Sequence, residues 1–334
     1  MVLLSLEGSI ALMLRSDPVG AFGSDVWKRA RREYYMSIER HVLQYLPECA
    51  RYDPELSYLL KPGRCRFHNR EFDHEIVVNS AGMRDREEAL VAPEIVVTGD
   101  SFAMGWGVAQ SEMVSTVLGE LTGEKTLAAA EPSYGTAREM LLLRHVDLSA
   151  AHTLVIQYCD NDFIENARFV LAGGRLKTMG PDEYESTVAD HLATTRYWPG
   201  KHLRYFVPLL WRSLRGDEFA SDWVRYCPFE ARIFLGVLRR ASLRDRPLRV
   251  VVFEATYTAA GRSCFGAELA ALARDRAQLP SWVSELQVIE PTSFLTESDY
   301  YPLDEHLNAS GYRKIAGAIA ELLARGPAIT SPAS

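Results

Sequence analysis

Ser101 closes the run Glu94-Ile-Val-Val-Thr-Gly-Asp-Ser-Phe102, in which an apolar segment passes through a glycine straight into a serine. About two hundred residues later, Asp304-Glu-His306 places a carboxylate and an imidazole two residues apart, followed by Leu307-Asn-Ala-Ser-Gly311 and an apolar stretch. A serine hydroxyl attacks a carbonyl only when a base removes its proton, and a histidine base works best when a carboxylate fixes its tautomer. Ser101, His306 and Asp304 are therefore the candidate nucleophile, base and orienting acid of an acyl transfer. Such a reaction also needs donors for the developing oxyanion, one of which can be worth ~3 kcal/mol. Ser133, Gly135 and Asn161 are candidates, because each follows an apolar run.

The elements that must position these groups follow from periodicity. Strands are expected at 94–98, 125–130, 153–158, 248–254 and 285–290, and helices at 111–121, 136–146, 229–241, 265–277 and 310–324. Ile95-Val-Val97, Leu154-Val-Ile156 and Val250-Val-Val-Phe253 suit strands covered on both faces. An α/β fold follows, with a doubly wound parallel sheet flanked by helices. In such a sheet functional groups gather at the carboxyl ends of the strands, where Ser101, Ser133, Gly135 and Asn161 all fall.

Gly99-Asp-Ser-Phe-Ala103 lacks the second glycine of the G-x-S-x-G elbow, and Asp304 lies too close to His306 for the usual α/β-hydrolase order. The chain instead resembles the SGNH (GDSL-type) serine hydrolases over residues 93 to 325. Gly99-Asp-Ser-Phe102 resembles the family's nucleophile block, which implies Ser101 as nucleophile and its N–H as an oxyanion donor. Pro132-Ser-Tyr-Gly-Thr136 resembles the second block, whose glycine donates its N–H. Here that glycine falls on Ser133, unless Gly135 takes the role; a serine at positive φ would be strained. Cys159-Asp-Asn-Asp162 resembles the block whose asparagine, here Asn161, aims its amide at the same oxyanion, with Cys159 where glycine is usual. Asp304-Glu-His-Leu-Asn308 resembles the terminal D-x-H block. Asn79-Ser-Ala-Gly-Met-Arg84 resembles a segment that precedes the nucleophile block in some members, with a structural role.

The resemblance implies an ester hydrolase that removes a small acyl group from a sugar or other polar metabolite through an acyl-enzyme, with no metal or organic cofactor. An O-acyltransferase using the same residues is the alternative, and a non-catalytic carbohydrate-binding or scaffold protein is the alternative of another class.

Organisation and bulk properties set further bounds. Residues 1–90 read as an N-terminal helix and strand extension, with a helix over Trp27 to Leu46, turns at Tyr52 to Tyr58 and Lys61-Pro-Gly63, and a strand within Phe72 to Asn79. Residues 91–330 form the α/β domain, with 163–228 an insertion expected near the mouth of the site. A net charge of −7 over 334 residues argues against a nucleic-acid binder, whose phosphate contacts need a basic surface. The arginine-rich stretch from Arg212 to Arg249, including Arg225, Arg239, Arg240, Arg244 and Arg246, reads as a solvated helical face. Five cysteines without a C-x-x-C pair, and histidines without ligand spacing, give no metal site. Cys49 and Cys65 would pair if the chain were exported and otherwise remain thiols. Met1 to Leu14 is apolar but too short to span a bilayer, and reads as a packing helix. The sequence leaves the compartment open, with a cytoplasmic location favoured over an exported or membrane-anchored one.

Overall fold

The alternation of side chains along the apolar runs builds both faces of one sheet. The computed structural model describes residues 2–15, 25–217, 227–241, 243, 247–257 and 264–325. Two antiparallel pairs come first: β1 (Ala50–Asp53) with β2 (Ser57–Leu60), and β3 (Gly63–His68) with β4 (Asp73–Val78). Then β5 (Ile95–Gly99), β6 (Thr126–Ala130), β7 (Thr153–Tyr158), β8 (Leu248–Glu254) and β9 (Val283–Ile289) form a parallel sheet in the order β6-β5-β7-β8-β9. Val96, Leu154, Ile156, Val250 and Val252 pack into one core, while Ile95, Val97, Val155, Val251 and Phe253 pack into the other. Neighbouring residues point to opposite faces of a strand, so continuous Val/Ile runs require cover on both sides. Helices Thr136–Leu142, Asp162–Leu171, Cys227–Arg240 and Phe265–Ala273 belong to one layer, and Val114–Thr122 with Ala309–Ala324 to the other. The expected α/β fold with a parallel sheet flanked by helices is what the structure contains.

The chain runs outward from β5 to β6 and then returns past β5 to β7, so strand order reverses between β5 and β7. Loops after these two strands diverge there and leave a crevice at their carboxyl ends.

The N-terminal residues share their core with the sheet. Leu56, Tyr58 and Met83 enter one apolar cluster, and Leu43, Phe67, Phe72 and Ile76 the other. A disulfide joins Cys49 to Cys65 with Cα atoms 5.5 Å apart. The turn expected at 52–58 is shorter, residues 54–56, its ends belonging to β1 and β2, and the one expected at 61–63 leads into β3 at Gly63. Periodicity did not reveal β1 and β3, which carry mixed polar and charged residues. The helix expected over Trp27 to Leu46 is shorter: Asp25–Tyr34 is α-helical, Tyr35–Glu39 forms a π-helical turn, and the chain is extended at Arg40. The N-terminal helix Val2–Arg15 packs on Lys201–Leu214 in the insertion, burying Ile10 and Leu14 beside Phe206. Of the arginine-rich stretch, Arg239 donates to Gln278 and Arg240 to Gly236 O, while Arg225, Arg244 and Arg246 lie outside the described residues.

Candidate active site

Gly99 ends β5 at φ +155°, where a Cβ would run into Gln157 Oε1 and Ala103 Cβ. Only glycine lets the chain turn this tightly into the following helix. Asp100 caps that helix, its Oδ1 accepting from Phe102 N at 2.9 Å, and Ser101 is the first helical residue. Gln157 Oε1, from β7, accepts from the N–H groups of Asp100 (2.8 Å) and Ala103 (3.3 Å) and ties the turn to the neighbouring strand. Arg84 is buried and donates to the carbonyls of Met104, Gly105 and Val108, bracing the far end of the same turn. This is a structural role for the Asn79 to Arg84 segment.

Ser101 Oγ lies 2.8 Å from His306 Nε2, and His306 Nδ1 donates to Asp304 Oδ1 at 2.6 Å. All three side chains are buried. The His306 ring stacks on Phe102 at 4.6 Å and on Trp106 at 5.0 Å, with Tyr257 edge-on at 6.1 Å. These apolar contacts leave the imidazole little rotational freedom, as a base acting on one fixed hydroxyl requires.

The turn that carries Asp304 and His306 is held by four side chains from the N-terminal residues. Tyr35 donates its hydroxyl to Asp304 Oδ2 at 2.5 Å, and Arg40 Nη1 stands 3.9 Å from Oδ1. Glu71 accepts from the N–H groups of Asp304 (2.8 Å) and Leu303 (3.0 Å). Arg32 pairs with Glu305 at 2.8 Å, and Glu305 has a φ of +63°. A non-glycine residue in that region is strained by about 1–2 kcal/mol and persists only when its surroundings dictate it. Burial alone would raise the Asp304 carboxyl. The hydrogen bond and charge of His306, the charge of Arg40 and the Tyr35 hydroxyl outweigh burial and hold it below the ordinary carboxylate range. Burial and the adjacent Asp304 push the Tyr35 hydroxyl far up, so it stays a donor. Sequence reasoning missed all four clamps, whose positions form no motif. A faint signal was available in Tyr34-Tyr35, aromatic residues ending a strongly basic helix.

Of the candidate oxyanion donors, Ser101 and Ser133 offer backbone N–H groups that have no acceptor among the described residues. Ser133 adopts φ +59°, the conformation anticipated to strain a serine, and its Oγ accepts from Gln44 Nε2 at 3.0 Å. Gly135 is different. Its φ is −88°, open to any residue, and its N–H is already spent on Glu165 Oε1 at 3.0 Å. Between the two alternatives, Ser133 has the free N–H. Asn161 makes only long contacts, from Nδ2 to Asp100 Oδ2 (3.5 Å) and to Tyr257 OH (3.4 Å), so its amide can turn to a stronger acceptor. Behind these donors lie Asp100, Asp162 and Glu139. Burial pushes all three carboxyls up, Asp100 to about 6.

An open cleft of about 420 Å³ runs past Ser133 and Asn161, with Arg138, Arg168, Lys177 and Glu183 on its walls. Helix Asp162–Leu171 and the residues after it, the first part of the insertion, line much of it. Farther along the insertion, Tyr184 donates to Gln44 O at 2.9 Å and His191 Nε2 accepts from Val42 N at 3.1 Å. The insertion thus supports the segment that bonds Ser133. Residues 218–226 of it lie outside the described residues.

No family model and no curated protein matches the chain. Solved structures do. One is described as lipolytic, of the G-D-S-L family, from Desulfitobacterium hafniense DCB-2; it is 11% identical at a TM-score of 0.35, over 69% of this chain and 99% of that one. A carbohydrate esterase family 2 enzyme with a carbohydrate-binding domain, from Corynascus thermopiles (Myceliophthora fergusii), is 9% identical at 0.34, over 69% and 65%. An acetyl xylan esterase from the rumen bacterium Butyrivibrio proteoclasticus is 9% identical at 0.36, over 70% and 64%. The chain is similar to GDSL-type and carbohydrate esterase structures. At such identities and scores the similarity carries no functional weight.

Proposed function

We propose that the chain is a serine-dependent ester hydrolase. The observation that carries this reading is the unbroken line from Ser101 Oγ through His306 to Asp304, with contacts of 2.8 and 2.6 Å among buried side chains. Ser101 Oγ attacks the ester carbonyl as its proton passes to His306 Nε2. The N–H groups of Ser101 and Ser133 and the amide of Asn161 receive the oxyanion. His306 returns the proton to the leaving alcohol, leaving an acyl-enzyme. Water then attacks, His306 takes its proton, and the carboxylic acid departs with Ser101 restored. The open cleft, with Arg138, Arg168, Lys177 and Glu183 on its walls, supports a polar alcohol portion, such as a sugar.

The test is labelling with a fluorophosphonate together with turnover of a small-acyl ester such as p-nitrophenyl acetate. Both should occur in the full chain and vanish in Ser101→Ala; a folded wild-type protein that neither labels nor turns over favours the non-catalytic alternative. Ser101 is only 7% exposed, and restricted water access favours a second reading, transfer of the acyl group to an alcohol. Faster donor consumption on adding a polyol, with acylated polyol as product, distinguishes the two. The Cys49–Cys65 disulfide supports an oxidising compartment rather than the expected cytoplasmic one.

A further inference from the structure

Lys201 opens the helix Lys201–Leu214 and is 2% exposed. Its ammonium donates to Thr195 O at 2.9 Å and Ile38 O at 3.3 Å, and among the described residues no carboxylate lies within ion-pairing distance. Glu39 acts on it only from beyond contact distance. A buried lysine without a contacting carboxylate is uncommon, because desolvation of an ammonium is compensated by a close opposite charge or the proton is lost.

Beside it lies a cavity of about 300 Å³, away from Ser101, whose walls repeat the same imbalance. Three basic side chains, Lys201, Arg15 and Arg70, line it against one carboxylate, Glu39. Arg70 Nη2 lies 2.6 and 2.8 Å from the two Glu39 oxygens, so this single carboxylate is shared between the contacting Arg70 and the more distant Lys201. Two other acids act nearby without lining the cavity: Glu7 accepts from the N–H groups of His202 (3.2 Å) and Leu203 (3.0 Å), capping the helix, and Glu48 acts on His41. His41 also lines the cavity, and its Nδ1 is buried with no hydrogen-bond partner. Burial lowers the pKa of Lys201, the cost that an added negative charge would remove.

We propose that this cavity binds a small oxyanion, such as phosphate or sulfate, with Lys201 as the central ligand and Arg15, Arg70 and His41 around it. Ammonium and guanidinium groups donate strong charge-assisted hydrogen bonds to such oxygens, and an anion here adds to the single carboxylate that faces three basic side chains. The site uses none of the residues proposed for ester hydrolysis and does not depend on that reading.

Inorganic phosphate and sulfate are titrated into the full chain by calorimetry at constant ionic strength set with chloride, with thermal unfolding read in parallel. Saturable binding of either anion and a rising Tm are expected. No heat and no shift with both anions at tens of millimolar would overturn the proposal. Lys201→Met should weaken binding roughly tenfold or more, a loss typical of one charged contact; unchanged affinity would also overturn it. Should that variant fail to fold, Arg15→Gln alters an exposed residue and is expected to weaken binding severalfold, with unchanged affinity again counting against the site. Ester turnover should remain near wild type in Arg15→Gln.

Discussion

The Tyr35 hydroxyl lies 2.5 Å from Asp304 Oδ2 while Oδ1 of the same carboxylate holds His306, so one buried acid is gripped by two rings that stand 271 positions apart in the chain (306 − 35). Removing the hydroxyl leaves Oδ2 buried and unpaired. Tyr35→Phe should fold and lower kcat/KM by roughly tenfold, about 1.4 kcal/mol for a hydrogen bond to a charged group. Circular dichroism checks the fold and steady-state kinetics the loss. A wild-type rate would show that Asp304 needs no second anchor.

Asp304→Asn changes the donor pattern around His306 while keeping the side-chain volume. Held in the wrong tautomer, the base cannot accept the Ser101 proton, and kcat should fall by roughly 10⁴. His306→Ala should remove turnover to a similar extent. Full activity in either variant, measured with a small-acyl ester, contradicts the assigned roles.

Oxyanion stabilisation separates backbone from side-chain donors. Asn161→Ala should cost ~10²–10³ in kcat, because it deletes a donor. Ser133→Gly keeps the N–H and relieves a left-handed serine, so kcat should stay within about threefold of wild type. A Ser133→Gly loss as large as that of Asn161→Ala would mean that the Ser133 hydroxyl, and not its N–H, is the working group.

Asp299 accepts from Lys314 Nζ (2.7 Å), Ser310 Oγ (2.8 Å) and Thr296 N (2.8 Å), fixing the start of the final helix. Burial raises its carboxyl, but the Lys314 pair and the Thr296 and Ser310 hydrogen bonds prevail and bring it down to about 2. A carboxyl lowered on folding stabilises the protein above its unfolded pKa of ~3.9, and that contribution is lost as pH falls through the folded value. Discounted for screening near the surface, it is worth about 1 kcal/mol. Asp299→Asn should therefore lower stability at pH 6 by about this amount and match wild type near pH 2, as read by urea unfolding.

The Cys49–Cys65 bond closes a separation of 16 residues and joins the approach to β1 with β3. Constraining a loop of that length in the unfolded chain contributes about 3 kcal/mol. Cys65→Ser should lower stability by ~2–4 kcal/mol, with a lower Tm by calorimetry. A Tm equal to wild type would show that the remaining contacts of β1 and β3 suffice.

The parallel strands were legible because buried β5 and β7 each hold three consecutive apolar residues, Ile95 to Val97 and Leu154 to Ile156, a local signal that no distant contact can disguise. The Gly99-Asp-Ser101 turn was legible for a related reason: a glycine at the end of such a run marks a tight exit. β1 and β3 escaped notice because they pair only with each neighbour's hairpin partner and carry exposed charges such as Arg51 and Arg64. The helix expected through Leu46 ended early because Tyr35 turns inward to Asp304, a tertiary contact that overrides helical periodicity.

The sequence alone determined which groups could do chemistry, since residue type sets acidity and nucleophilicity, and it determined the strands from whose ends those groups emerge. The tertiary structure decided what holds them. That the Gly135 N–H is taken by Glu165, while Ser133 stands at a positive φ, is set by loop geometry alone. The grip of Tyr35, Arg40 and Glu71 on the Asp304 turn depended on packing between segments more than 230 residues apart. Such contacts leave no period or spacing in the chain, because they exist only once both sides of the sheet are covered and distant loops are brought to the same crevice.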